Sequence, residues 1–118
     1  MGLKTSKQMK VMSTRPEASK DDAHELMPKW LKAEMPELYS SMKTLVPMIA
    51  VKYFTPDSSW TWYGVEFDGE DLLWGLVVGF EQELGYFSLR ELETARGKLG
   101  LRIERDLYFP PTPLEDLA

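Results

Sequence analysis

Two apolar runs hinged on Asp68-Gly69, the first alternating and the second continuous, constrain this chain more than any other feature of its sequence. Trp60 to Phe67 alternates with the period of a strand, which puts Tyr63, Val65 and Phe67 on one face and Trp60, Trp62 and Glu66 on the other. Asp-Gly between such runs is a tight-turn signal. The run beyond it, Leu72 to Gly79, is apolar on both faces and so belongs inside a sheet. Met48 to Phe54 supplies a further strand, with Ile49, Val51 and Tyr53 on one face, and Thr55 to Ser59 forms its turn. Gly85 to Phe87 reads as a short strand, and Leu101 to Phe109 as the last, ended by Pro110, Pro111 and Pro113. The expected fold class is α+β: a mainly antiparallel sheet of about five strands, with an N-terminal helix and a short helix before the last strand.

The first helix is expected over 22–34. Asp22 and Glu25 have capping-box spacing, Pro28 suits an early turn, and Pro36 closes the stretch. Glu37 to Met42 reads as a short helical turn carrying Leu38 and Tyr39 inward. Ser88-Leu89-Arg90-Glu91 is the clearest local signal, a capping box opening a helix that Gly97 stops in the left-handed conformation. Residues 1–20 are polar, without apolar periodicity, and read as a disordered basic tail. Residues 21–118 make one α+β domain.

Charge divides along the same boundary. Residues 1–20 carry a net +4, which leaves −9 for the rest, and no basic residue occurs between Lys52 and Arg90. Seven acids do occur there: Asp57, Glu66, Asp68, Glu70, Asp71, Glu81 and Glu83. Such a domain repels a phosphate backbone, so nucleic acid is expected to touch only the basic tail. A basic protein surface is the partner this charge favours.

Several chemistries lack their parts. There are no cysteines and a single histidine, His24, which removes thiolate catalysis, cysteine-ligated zinc and a multi-histidine metal site. No nucleophile elbow or phosphate-cradling glycine loop is present. The acids around Asp68-Gly69 do not follow the spacing of a calcium loop and read as a solvated hairpin tip. No catalytic residue, metal or cofactor is therefore assigned. No apolar run spans a bilayer and no signal-peptide core is seen, so the expectation is a cytoplasmic protein without a membrane partner.

One residue stands out of place. In the last strand Leu101, Ile103, Leu107 and Phe109 share a face with Arg105, while Asp106 falls on the other. A permanent cation turned inward needs a negative partner. Glu66 and Glu83 are the acids on strands or their ends. The pairing is either a structural one that fixes register or the floor of a pocket awaiting an anion. Trp62 and Tyr86 are the aromatic candidates for a binding surface, although core packing accounts for most of the aromatic residues. The candidate binding residues are thus Arg105, Glu83, Glu66, Trp62, Tyr86 and Asp106.

Specific strings carry a family resemblance. They are Val51-Lys52-Tyr53-Phe54-Thr55-Pro56, Thr61-Trp62-Tyr63, Trp74-Gly75, Glu83 through Leu92, and Arg96-Gly97 with Leu99 through Phe109. In order and spacing over residues 47–114 the chain resembles the bacterial domain-of-unknown-function family 2958. The resemblance implies a prokaryotic accessory protein of a plasmid, phage or similar mobile element, and it implies no activity. Together these readings favour a non-enzymatic protein-binding module with an acidic surface, with an anti-defence role as one version. The alternative is a small-molecule or nucleotide-binding domain, enzymatic or not, with its pocket around Arg105.

Overall fold

The run that is apolar on both faces, Leu72–Val78, lies inside a five-stranded sheet with a strand paired along each side. The computed structural model describes residues 22–118, so the basic tail lies outside the described residues. In chain order the strands are β1 (Met48–Ile49), β2 (Val51–Phe54), β3 (Thr61–Phe67), β4 (Leu72–Val78), β5 (Gln82–Ser88), β6 (Glu104–Arg105) and β7 (Thr112–Pro113). The main sheet runs β5-β4-β3-β2-β6 with every neighbouring pair antiparallel. β1 and β7 make a separate two-stranded pair. Two short helices, α1 (Lys29–Glu34) and α2 (Leu89–Thr94), complete a mixed α+β architecture.

Each face of the sheet buries its own apolar cluster. On one, Val51, Tyr53, Phe67, Leu73 and Phe87 pack under Leu26 and Leu31 of the N-terminal segment and Leu89 and Leu92 of α2. On the other, Ile49, Val65 and Leu76 pack with Leu114, flanked by Tyr63, Trp74 and Phe109. Burial lifts the Tyr53 phenol well above its ordinary pKa, and its hydroxyl donates to the Leu26 carbonyl at 2.6 Å. That bond ties the N-terminal segment to the sheet.

The helical stretch near the N-terminus is shorter than 22–34. Residues 22–28 form turns, in which the Asp22 carboxylate accepts the His24 N–H at 2.8 Å, and the helix begins after Pro28. A side chain that bonds its own backbone two residues on favours a turn over a helix. The last strand is likewise shorter than 101–109. It joins the main sheet at Glu104 and Arg105, with an isolated bridge from Arg102 to Arg96 before them, and Asp106 then turns the chain by accepting the Tyr108 N–H at 3.0 Å. β5, conversely, runs over seven residues where only Gly85 to Phe87 reads as strand, since all seven pair in register with β4.

At the start of α2, the Ser88 hydroxyl accepts the Glu91 N–H at 3.2 Å, as capping-box spacing requires. A partner outside that motif completes the cap. The Asp71 carboxylate accepts the Arg90 N–H and the Ser88 hydroxyl proton, both at 2.8 Å. Gly97 does not end the helix in the left-handed region, because α2 stops at an extended Ala95. What Gly97 provides is room: a Cβ there would sit 1.5 Å from the Asp57 Oδ1.

The Arg90 N–H and then the Ser88 hydroxyl hold the Asp71 carboxyl below its ordinary pKa, and the N–H of Glu70, with its two successors, does the same for Asp68. A lowered folded value adds stability above the ordinary carboxylate range, about pH 4, and that stability is lost as pH falls through the lowered value. Asp71→Asn is therefore expected to lower Tm at neutral pH. The gap from the parent protein should close as pH falls from neutral through the lowered value. Calorimetric scans between these limits check it, and a gap independent of pH contradicts it.

Candidate functional site

A β-bulge decides where the acid of β3 points. β3 and β4 pair Tyr63 with Leu76 and Gly64 with Gly75, then slip so that Glu66 meets Trp74 and Phe67 meets Leu73. Val65 is the extra residue, and every side chain beyond it changes face. Glu66 thus leaves the Trp62 face, where strict alternation puts it, and joins Tyr63 and Trp74. Phe67 moves the other way, into the cluster with Leu73. Trp74 in turn pairs with Tyr86 on β5, so Glu66, Trp74 and Tyr86 form one cross-strand row.

Glu66 is 2% exposed, yet it is a carboxylate. One oxygen accepts the Tyr39 N–H at 2.8 Å, and the other accepts the Ser41 N–H at 2.8 Å and the Ser41 hydroxyl proton. These donors belong to a single turn of 3-10 helix, Ser40–Lys43, entered through Tyr39 at φ 70. That is a left-handed conformation which a bulky residue adopts only when its surroundings hold it. Here Glu66 holds it. Tyr39 is consequently not inward but 62% exposed. Its phenol interacts with that of Tyr86 and raises the Tyr86 pKa.

The result is a groove of about 360 Å³ lined by Tyr39, Met42, Pro47, Trp74 and Tyr86, with Ser41 and Glu66 as its polar part. Its size and lining, apolar with few polar groups, suit a binding site. Among the described residues no cation pairs with Glu66. On the other side of the same turn a second hollow of about 240 Å³ is lined by residues including Glu34, Ser40, Thr44 and Pro111.

Arg105 is 3% exposed and sits beside Tyr53 at the far edge of the sheet. Neither acid expected to answer it lies there: Glu66 binds the 39–41 turn, and Glu83 is exposed on β5 at the opposite edge. Its Nε donates to the Glu25 carbonyl at 2.9 Å and its Nη2 to the Asp22 carbonyl at 3.2 Å, and its Cζ lies 5.6 Å from the Trp30 ring centre. Its backbone N–H donates to the Ala23 carbonyl at 2.7 Å. Asp106 stands beside Lys52, with 3.7 Å between Oδ2 and Nζ. A hollow of about 310 Å³ lies next to both, lined also by Phe54 and Tyr108.

Trp62 packs half-buried against the first core cluster and stacks on Trp60, with 6.0 Å between ring centres. The structure therefore brings Glu66 and Tyr86 together, and Arg105 with Asp106, while Trp62 and Glu83 stand apart from both pairs. Sequence reasoning misses Tyr39, Met42 and Trp74. Gly64 inside a strand is the one mark of the bulge that assembles them. Among the described residues no three histidine or acidic side chains converge as a metal site, and no helix is long and apolar enough to cross a membrane.

A family model described as "Protein of unknown function (DUF2958)" matches residues 18–116. No curated protein and no solved structure matches.

Proposed function

The chain belongs to the DUF2958 family, and from that premise we propose that it is a protein-binding module whose groove over Glu66 receives a basic side chain of its partner. One observation carries this reading: a buried carboxylate shares the lining of one groove with three aromatic side chains, and no described residue supplies its counter-ion. Aromatic faces attract an ammonium or guanidinium group, by about 0.5–2 kcal/mol according to desolvation. The negative charge of Glu66 adds to that attraction. The acidic stretch from Lys52 to Arg90 provides the same sign over a wider surface and draws a basic partner in. The partner is one met by an accessory protein of a bacterial mobile element, the setting implied by the family resemblance.

The rival, a small-molecule pocket built on Arg105, has weaker support. That guanidinium already spends two donors on backbone carbonyls and stacks on Trp30.

An NMR titration with N-acetyl-arginine amide tests the groove. Backbone signals of Tyr39, Ser41, Trp74 and Tyr86 are expected to shift saturably, and Tyr86→Ala should weaken the response at least tenfold. The citrulline analogue has the same shape without the charge. Equal shifts with citrulline, or shifts confined to other surfaces, defeat the proposal.

A further inference from the structure

The two edges of the main sheet are unlike. At one edge β6 is two residues long, and the N-terminal segment covers it through the Arg105 N–H bond to Ala23. At the other edge β5 runs seven residues in unbroken register with β4. Among the described residues no backbone bond reaches its outer side. Folded proteins blunt such an edge with lysine, proline, a bulge or a covering segment. β5 has no lysine, proline or bulge, and among the described residues only its first side chain is met from outside the sheet, where the Gln82 amide donates to the Leu117 carbonyl at 2.8 Å. Its exposed side chains are Gln82, Glu83, Leu84 at 52% and Tyr86 at 48%.

We infer that β5 accepts an extended basic segment of the partner as a sixth, added strand. The inference rests on the reading of the chain as a binder of basic proteins and names how that partner docks. Main-chain bonds to an edge strand supply affinity, and side chains on alternate positions supply selectivity. Here the alternation is explicit. Glu83 lies on the face of Leu73 and Val77, while Leu84 and Tyr86 lie on the face of Leu76 and Trp74, toward the groove. A fitting segment carries lysine or arginine opposite Glu83 and apolar residues opposite Leu84 and Tyr86. Charge selects this occupant over a second copy of the chain, because two β5 strands side by side would bring Glu81 and Glu83 of both copies into one sheet edge.

The probe is a seven-residue peptide of alternating lysine and valine, compared with the same peptide N-methylated at alternate backbone amides. Calorimetric binding of the first is expected, with slowed hydrogen exchange along β5. N-methylation should weaken it at least tenfold, and so should Glu83→Lys, an exposed change that leaves the fold intact. Equal affinity of the N-methylated peptide overturns the added strand. The groove is judged separately by the arginine amide titration, so either idea can fail while the other stands. A dimer of the protein alone, dissociated by Glu83→Lys in sedimentation, assigns the edge to a second copy and overturns the inference. Failure of the peptide to bind until residues 1–20 are removed assigns it to the chain's own tail, with the same consequence.

Discussion

Glu66→Ala is expected to destabilise the protein by about 3 kcal/mol, because it leaves donors without the charged acceptor they were folded around. The three donors are the Tyr39 and Ser41 N–H groups and the Ser41 hydroxyl. Hydrogen bonds to an ionised group contribute about 1.5–3 kcal/mol each, but water reaches part of this turn once it loosens, so the sum is not realised. The turn has hollows of about 360 Å³ and 240 Å³ on its two sides, so little packing holds it otherwise. Hydrogen exchange should therefore rise over residues 39–43 far more than in β3 and β4. Tyr39 also loses what keeps it at φ 70, and the groove opens. Glu66→Gln keeps the shape but turns an amide NH₂ toward a donor, and should cost about half as much. Urea unfolding read by tryptophan fluorescence measures both. A change under about 1 kcal/mol for the alanine variant contradicts the role assigned to this carboxylate.

The sheet is legible in the sequence wherever periodicity continues without interruption. Leu72 to Val78 reads as an interior strand from its apolar residues alone, and the Asp68-Gly69 turn from its type, with Gly69 at φ 91. Legibility ends at Val65. Period-two reasoning assigns faces correctly through Val65, and one inserted residue reverses them from Glu66 onward. Glu66 is for that reason readable as a strand acid but not as the floor of a groove. β5 reads short because Gln82 and Glu83 are polar and Gly85 is a poor strand former, while its length comes from pairing with β4. Tyr39 reads as core because it is aromatic. Its exposure follows from a bond to a residue 27 positions away, which no local pattern records. Gly97 reads as a helix stop, when the contact that requires it is with Asp57, also remote in sequence.

Arg105 shows the same division, and its replacement separates a structural role from a binding one. Alternation turns it inward, and it is 3% exposed. Its bonds reach Asp22 and Glu25, some eighty residues earlier, to carbonyl oxygens that no side-chain pattern reveals. Arg105→Met keeps much of the aliphatic stem while leaving those carbonyls unanswered and the Trp30 ring without its cation. The expected loss is about 3–4 kcal/mol, from two charge-assisted bonds and the cation–π contact. Arg105→Lys should recover little of it, since one ammonium cannot span both carbonyls in the fork geometry of a guanidinium. The N-terminal segment should then exchange its amide hydrogens faster, because the Arg105 N–H to Ala23 bond shares the same junction. Shifts at the Glu66 groove with N-acetyl-arginine amide should persist in both variants while they remain folded, since β6 and β5 lie at opposite edges of the sheet. If stability is kept in both variants, the carbonyl bonds are incidental to the fold and the structural role assigned to Arg105 fails.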